Sequence, residues 1–170
     1  EIGREFMTFL GARHAAGAGD PPFLPELAHY EWAELALAFD AAEIDAVPHN
    51  AAGDPIYGVP VVSPLAWTFV YRFPVHRIRA DYRPATPPET TTVLLLVRNR
   101  GDTVRFVEIN PLTQLLLERL QENRSISGLE CLETLLVEVA PQHTAELREA
   151  GIAVMRDLHA SEAILGTLPP

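Results

Sequence analysis

Lysine is missing from this chain: all thirteen basic residues are arginine, they face twenty-three aspartates and glutamates, and the formal net charge is −10. A protein built to hold nucleic acid ordinarily carries a basic footprint that neutralises phosphates. This balance disfavours nucleic acid as a partner, although a local arginine cluster can override a global charge. Cysteine is nearly absent too. The single Cys131 excludes an internal disulfide. It falls among Leu129, Leu132 and Leu136 on a predicted helix with no basic neighbourhood, so it reads as a small buried hydrophobe rather than a nucleophile. A cytoplasmic, reducing compartment is compatible with that usage. No uninterrupted apolar run approaches the ~20 residues of a membrane span, so no membrane partner is expected. The opening residues Glu1, Ile2, Gly3 and Arg4 do not read as a signal peptide. They read as the interior of a helix, the end of a truncated N-terminal helical domain.

The usual marks of catalysis are missing as well. His14, His29, His49, His76, His143 and His159 are scattered and lack metal-ligand spacing. There is no phosphate loop, no G-x-G-x-x-G order and no G-x-S-x-G elbow. The acidic residues of 24–45 read as a solvated helix face. The chain is therefore expected to be non-catalytic, with no cofactor and no metal, and to act by binding.

What is present is concentrated in residues 91–139. The run TTVLLLV at 91–97 is β-branched and apolar, as a buried strand requires. Asn99, Arg100, Gly101 and Asp102 supply a reversal, and residues 103–109 return as a second strand. Asn110 then stands where a helix N-cap belongs, with Pro111 at the first helical position. Ser127 and Glu130 have the S-x-x-E spacing of a capping box. Helices are predicted over 111–122, 128–139 and from about Gln142 to Leu158, with Gly151 a weak point in the last. Upstream, Leu65, Trp67, Phe69, Tyr71 and Phe73 alternate over residues 65–73, a third strand closed by Pro74.

The fold class that follows is α+β: an N-terminal helical arm, then a winged-helix-like domain of three antiparallel strands and three helices. Residues 1–16 are read as the end of the helical domain, 17–60 as a helix plus linker, and 61–170 as the winged-helix-like domain. The arm carries Phe6, Phe9 and Leu10 on one stripe. Its second helix starts near Leu24 and fades near Asp45, with Leu24, Leu27, Ala28, Leu35 and Phe39 at helical steps. Glu31 falls on that stripe. A buried carboxylate must be paired or it carries a heavy desolvation cost, so a structural ion pair of Glu31 with an arginine of 72–79, Arg77 in particular, is expected. Residues 47–60 read as a loop, and residues 163–168 as a short terminal strand.

A module of this layout binds either DNA or peptides. Strands 65–73 and 103–109 each present an edge that could take up an extended peptide by main-chain pairing. The DNA reading would use the helix-turn-helix of 111–139, with 128–139 as recognition helix. That helix carries Glu130, Glu133 and Glu138 and no basic residue, which opposes phosphate approach. An arginine-lined face around Arg98, Arg100 and Arg105 would revive it. A third reading is a homodimer formed through the open strand.

Three strings, FLPELAHYEW at 23–32, YRFPVHRI at 71–78 and residues 104–117, together resemble the HvfC/BufC-type proteins. These were formerly labelled DNA-binding and are now assigned as accessory partners in ribosomal-peptide (RiPP) maturation. The segment from Val93 to about Val139 is also similar in pattern to PqqD-like peptide-recognition elements. The resemblance implies two partners, a precursor peptide and a multinuclear non-haem iron-dependent oxidase that modifies the precursor's cysteines and supplies the iron ligands itself. It further implies that the leader segment extends the sheet at the strand 103–109. The residues placed at that edge are Val104, Phe106 and Glu108 on one side, Arg105 and Val107 on the other.

Overall fold

The computed structural model describes residues 2–15, 17 and 19–169. Glu1 and Ala16, part of the expected arm, and the side chain of Ile2 lie outside the described residues. The chain is α+β, with a short N-terminal helical region, a three-stranded antiparallel sheet and then helices. The helices are α1 (Ile2–Ala15), α2 (Leu24–Ala38), α3 (Pro111–Glu122), α4 (Gly128–Val139) and α5 (Thr144–Ala160). The strands are β1 (Pro60–Val62), β2 (Ala66–Tyr71), β3 (Thr92–Arg98), β4 (Val104–Ile109) and β5 (Ile164–Thr167). The main sheet runs in the order β2-β3-β4, and β1 pairs with β5 in a separate two-stranded sheet.

The central strand β3 is buried along its whole length. Because successive side chains point to opposite faces, it feeds two cores. Leu95 and Val97 face α3, α4 and α5, where Leu116, Leu120, Leu132, Leu136 and Met155 complete one cluster. Leu94 and Leu96 face α2, where Ala33, Leu37, Tyr71 and Phe73 complete the other. The order of layers is thus α2, sheet, helical trio. This explains the continuous apolar run: a strand covered on both faces has no polar side to alternate with.

Local chemistry sets the helix ends. Asn110 caps α3 by accepting from the Thr113 N–H at 2.8 Å. Ser127 and Glu130 form the reciprocal capping box of α4. Gly151 lies mid-helix in α5 without breaking it, because a Cβ there would come within 2.6 Å of Leu132 Cδ1. The buried Leu132 side chain of α4 occupies the space that a Cβ would need.

Four readings of the sequence need correction. The helix α2 ends at Ala38 and not near Asp45. Asp40 there turns the chain, its carboxylate accepting from the Ala42 N–H at 2.8 Å. The stripe of Leu24, Leu35 and Phe39 is not the sheet-facing side. Ala33 and Leu37 are buried against the sheet, whereas Leu35 is 60% and Phe39 84% exposed. Leu24, Ala28 and Leu35 instead line a shallow apolar groove with Phe6 and Leu10 of α1. The helix therefore has two apolar faces, and the sequence pattern tracked the weaker one. Glu31 sits on that outer face and is exposed, so it never needed a buried partner. The expected Glu31–Arg77 pair is not formed; Arg77 Nη2 donates to Glu108 Oε2 at 2.6 Å instead. Finally, Pro60 opens β1, whose pairing with β5 spans a hundred residues of chain and is invisible to local pattern. Residues before it are tied in as well: Ile56 and Gly58 carbonyls accept from the first N–H groups of α4.

Candidate functional site

Alternation along an antiparallel pair decides which main-chain groups of β4 are free. Arg98 N–H donates to Leu65 O, so Arg98 turns its main-chain groups toward β2. Its partner across the other ladder is Val104. Val104, Phe106 and Glu108 therefore direct their N–H and C=O groups outward, and Arg105, Val107 and Ile109 direct theirs to β3. Among the described residues, no hydrogen bond from another segment reaches those outward groups. They span about 14 Å at a strand's rise per residue. By the same alternation, Thr68 and Val70 of β2 face outward at the opposite edge.

The two edges differ in what flanks them. Beside β4 runs a groove of about 410 Å³, open along one side. Its strand wall is Val107 and Ile109; its helix wall is Val154, Asp157 and Leu158 of α5 with Ser161, the C-cap of that helix. These four positions follow the i, i+3, i+4, i+7 spacing of a single face. Leu95 forms part of the floor. Val107 is 44% exposed, an apolar side chain directed into a space that no described residue fills.

The other face of the edge is aromatic and charged. Phe106 packs on Tyr30 of α2, the rings tilted by 42° with centroids 4.3 Å apart. Glu108 accepts from Arg77 and lies 3.1 Å from His76 Nε2. This fixes the side chain at the end of the edge strand. On the same face of the sheet, at the opposite edge strand β2, the Tyr71 hydroxyl lies 2.9 Å from Nδ1 of His29 on α2. Burial pushes the Tyr71 phenol well above its usual value, with the Glu26 charge adding to it. Burial also lowers His29. The neutral ring accepting from a protonated phenol fits both directions. Glu26 itself accepts from the Phe73 N–H at 2.9 Å, fastening α2 to the chain beyond β2.

The five edge residues singled out from sequence are thus brought together on one open strand, Val104, Phe106 and Glu108 on the α2 face and Arg105 and Val107 on the face of the helical trio. Val154, Asp157, Leu158 and Ser161 were missed. Their helical spacing is visible in the sequence, but its core face, Leu147, Ile152 and Met155, dominates the pattern. Of the three arginines that would make a phosphate-binding face, Arg105 is exposed on β4 and the other two are otherwise engaged. Arg98 is buried, and its guanidinium donates to four main-chain carbonyls of residues 37–42. Arg100 donates to Glu162 at 2.7 Å and to Asp45 at 3.3 Å. On α4, Glu133 accepts from Arg148, Glu138 accepts from Arg119, and Glu130 serves the cap. Cys131 is buried, and burial pushes its thiol up, as a packing residue requires. Among the described residues no group of three or more His, Cys, Asp or Glu could hold a metal ion. No helix among them is long and apolar enough to cross a membrane.

None of the curated proteins matches the chain. The family model for the HvfC C-terminal domain matches residues 63–159, from the turn before β2 to the last turn of α5, so it takes in the open strand and, Ser161 apart, the walls of the groove. With more than half of its length matched, the chain belongs to the HvfC C-terminal domain family.

Proposed function

We propose that this chain is a non-catalytic accessory protein that binds a precursor peptide as an added strand on β4 and partners a multinuclear non-haem iron oxidase in ribosomal-peptide maturation. Membership of the HvfC C-terminal domain family supports the accessory role. The observation that carries the binding mode is the edge itself: three outward sets of main-chain groups beside an unfilled apolar groove. Strand addition uses the first for affinity and the second for choice of side chains. A guest strand would lie about 4.8 Å from β4. Its alternate side chains would enter the groove against Val107, Val154 and Leu158. The iron belongs to the oxidase in this reading, and the present chain orders the peptide.

The test is a titration of the isotopically labelled full chain with the peptide encoded by a neighbouring short, cysteine-bearing reading frame. The main-chain amides of Val104, Phe106 and Glu108 are expected to exchange at least tenfold more slowly with peptide bound. Those of Arg105, Val107 and Ile109, already in the ladder, are expected to change little. Methylating alternate amide nitrogens of the peptide should abolish binding, and methylating the intervening ones should not. Binding that leaves the β4 amides untouched would overturn the reading, as would failure of the chain to co-purify with its oxidase when both are expressed with the peptide.

A further inference from the structure

The groove beside β4 is apolar on its floor and holds few polar groups, and most of these are already satisfied. Asn110 accepts from Thr113. Ser161 Oγ donates to the Leu158 carbonyl at 3.1 Å. Glu108 is held by Arg77. Asp157 differs: it is exposed, it lines the groove, and no side-chain hydrogen bond or ion pair engages its carboxylate among the described residues. It also stands in the last turn of α5 (Thr144–Ala160). The carbonyl end of a helix is the negative end of its dipole, so a carboxylate there is repelled rather than stabilised. Two sources of negative potential therefore meet at one end of an apolar slot. Arg105, the charged residue of β4 whose side chain points to this same face, is not among the groove-lining residues.

We propose that Asp157 is a specificity-determining residue that takes a lysine or arginine side chain of the guest peptide. The inference rests on the strand-addition reading given above. Only a side chain with an apolar stem and a cationic tip satisfies both halves of this slot. The methylenes pack on Val107, Val154 and Leu158, while the head group reaches Asp157 and the carbonyl end of α5. Because successive guest side chains alternate between faces, the residues two before and two after the cation also face the groove and are apolar. The chain's surplus of acidic groups acts in the same direction at longer range.

A display library of random twelve-residue peptides, selected on the immobilised full chain, tests this. Wild type is expected to enrich lysine or arginine at one position, flanked at two-residue spacing by apolar residues. For one selected peptide, replacing that cation by glutamine should weaken binding to wild type about tenfold and to the Asp157→Asn variant less than twofold. Selection on Asp157→Lys should replace the cation by aspartate or glutamate. Asp157→Asn keeps the side chain's shape at an exposed site, and an unchanged thermal midpoint confirms that it folds. Arg105→Gln should leave the cation preference intact. Enrichment of peptides with no basic position, or a cation dependence that survives in Asp157→Asn, overturns the role of Asp157. If alternate N-methylation of those same peptides still abolishes binding, strand addition stands without it. If N-methylation has no effect, or no peptide is enriched, the strand-addition reading fails and the Asp157 assignment with it.

Discussion

Arg98 at the end of β3 donates through Nη1 to the carbonyl of Leu37 in the last turn of α2, at 3.0 Å. The same nitrogen reaches Ala38 O at 2.8 Å, and Nη2 reaches Asp40 O and Ala42 O at 2.9 Å each. A helix end leaves its last carbonyls without intrahelical donors, and here one planar cation serves those of Leu37 and Ala38 together with two in the turn that follows. The charge also opposes the negative end of the helix dipole. This fork secures α2 to the sheet, and α2 in turn backs Phe106 of the edge strand.

Arg98→Lys tests the fork. An ammonium is a point charge whose donors do not match the flat two-nitrogen geometry. Carbonyls buried around it would lose partners at about 1–3 kcal/mol each. A loss of roughly 2–3 kcal/mol in urea unfolding is expected, and Arg98→Ala should lose more. A midpoint equal to wild type would mean the clamp contributes nothing in solution.

Gly151→Ala separates helix propensity from packing. Propensity alone favours alanine by about 1 kcal/mol. The added Cβ would lie 2.6 Å from Leu132 Cδ1 and 2.7 Å from Cδ2, and overpacking of this kind costs about 1–3 kcal/mol. Net destabilisation is therefore expected. Combining it with Leu132→Val should recover part of the loss, a coupling that a double-mutant cycle measures. Stabilisation by Gly151→Ala alone would show that the two helices have room to part.

The His29–Tyr71 contact sets a pH dependence. Burial lowers the His29 pKa below its ordinary 6.5. The unfolded chain therefore binds the proton more readily. Stability is unaffected well above pH 6.5 and declines as the pH falls from there through the lower folded value. His29→Gln should flatten that part of the profile, read as urea midpoints between pH 8 and pH 5. A wild-type profile that matches the variant's over this range would assign the dependence elsewhere.

Removing the N-cap of α4 is a control for the groove. Ser127→Ala should cost about 1 kcal/mol of stability. The Ser127 hydrogen bonds hold the Glu130 carboxyl below its usual range. That part of the stabilisation is present above about pH 4.5 and lost as the pH falls through the lowered value. The gap between wild type and Ser127→Ala should narrow in acid. Peptide binding at β4 should be unchanged, since α4 forms neither wall of the groove.

Where the determinants are local, they could be read directly. The starts of α3 and α4 follow from Asn110, Pro111, Ser127 and Glu130, each acting within four residues of itself. The β3–β4 hairpin follows from one apolar run, one turn and one alternating return. The family strings pointed to the family that the matched residues 63–159 bear out. Contacts between distant segments were harder. Arg98 appeared as a wing cation and is a buried helix clamp. Glu31 appeared as a buried acid and is solvated, because α2 has a second apolar face turned to α1.

By itself, then, the amino-acid order determined the element types, the caps, the α+β class and which residues of the strand after Gly101 share a face, because each depends on steric and hydrogen-bonding preferences within a turn or two of chain. Tertiary structure alone decided that β1 meets β5, that the β4 main chain stays open, and that Val154, Asp157 and Leu158 stand across from Val107. These depend on where the chain returns after long excursions, and on which competing apolar faces find partners. That is a global packing outcome, and no short window of sequence contains it.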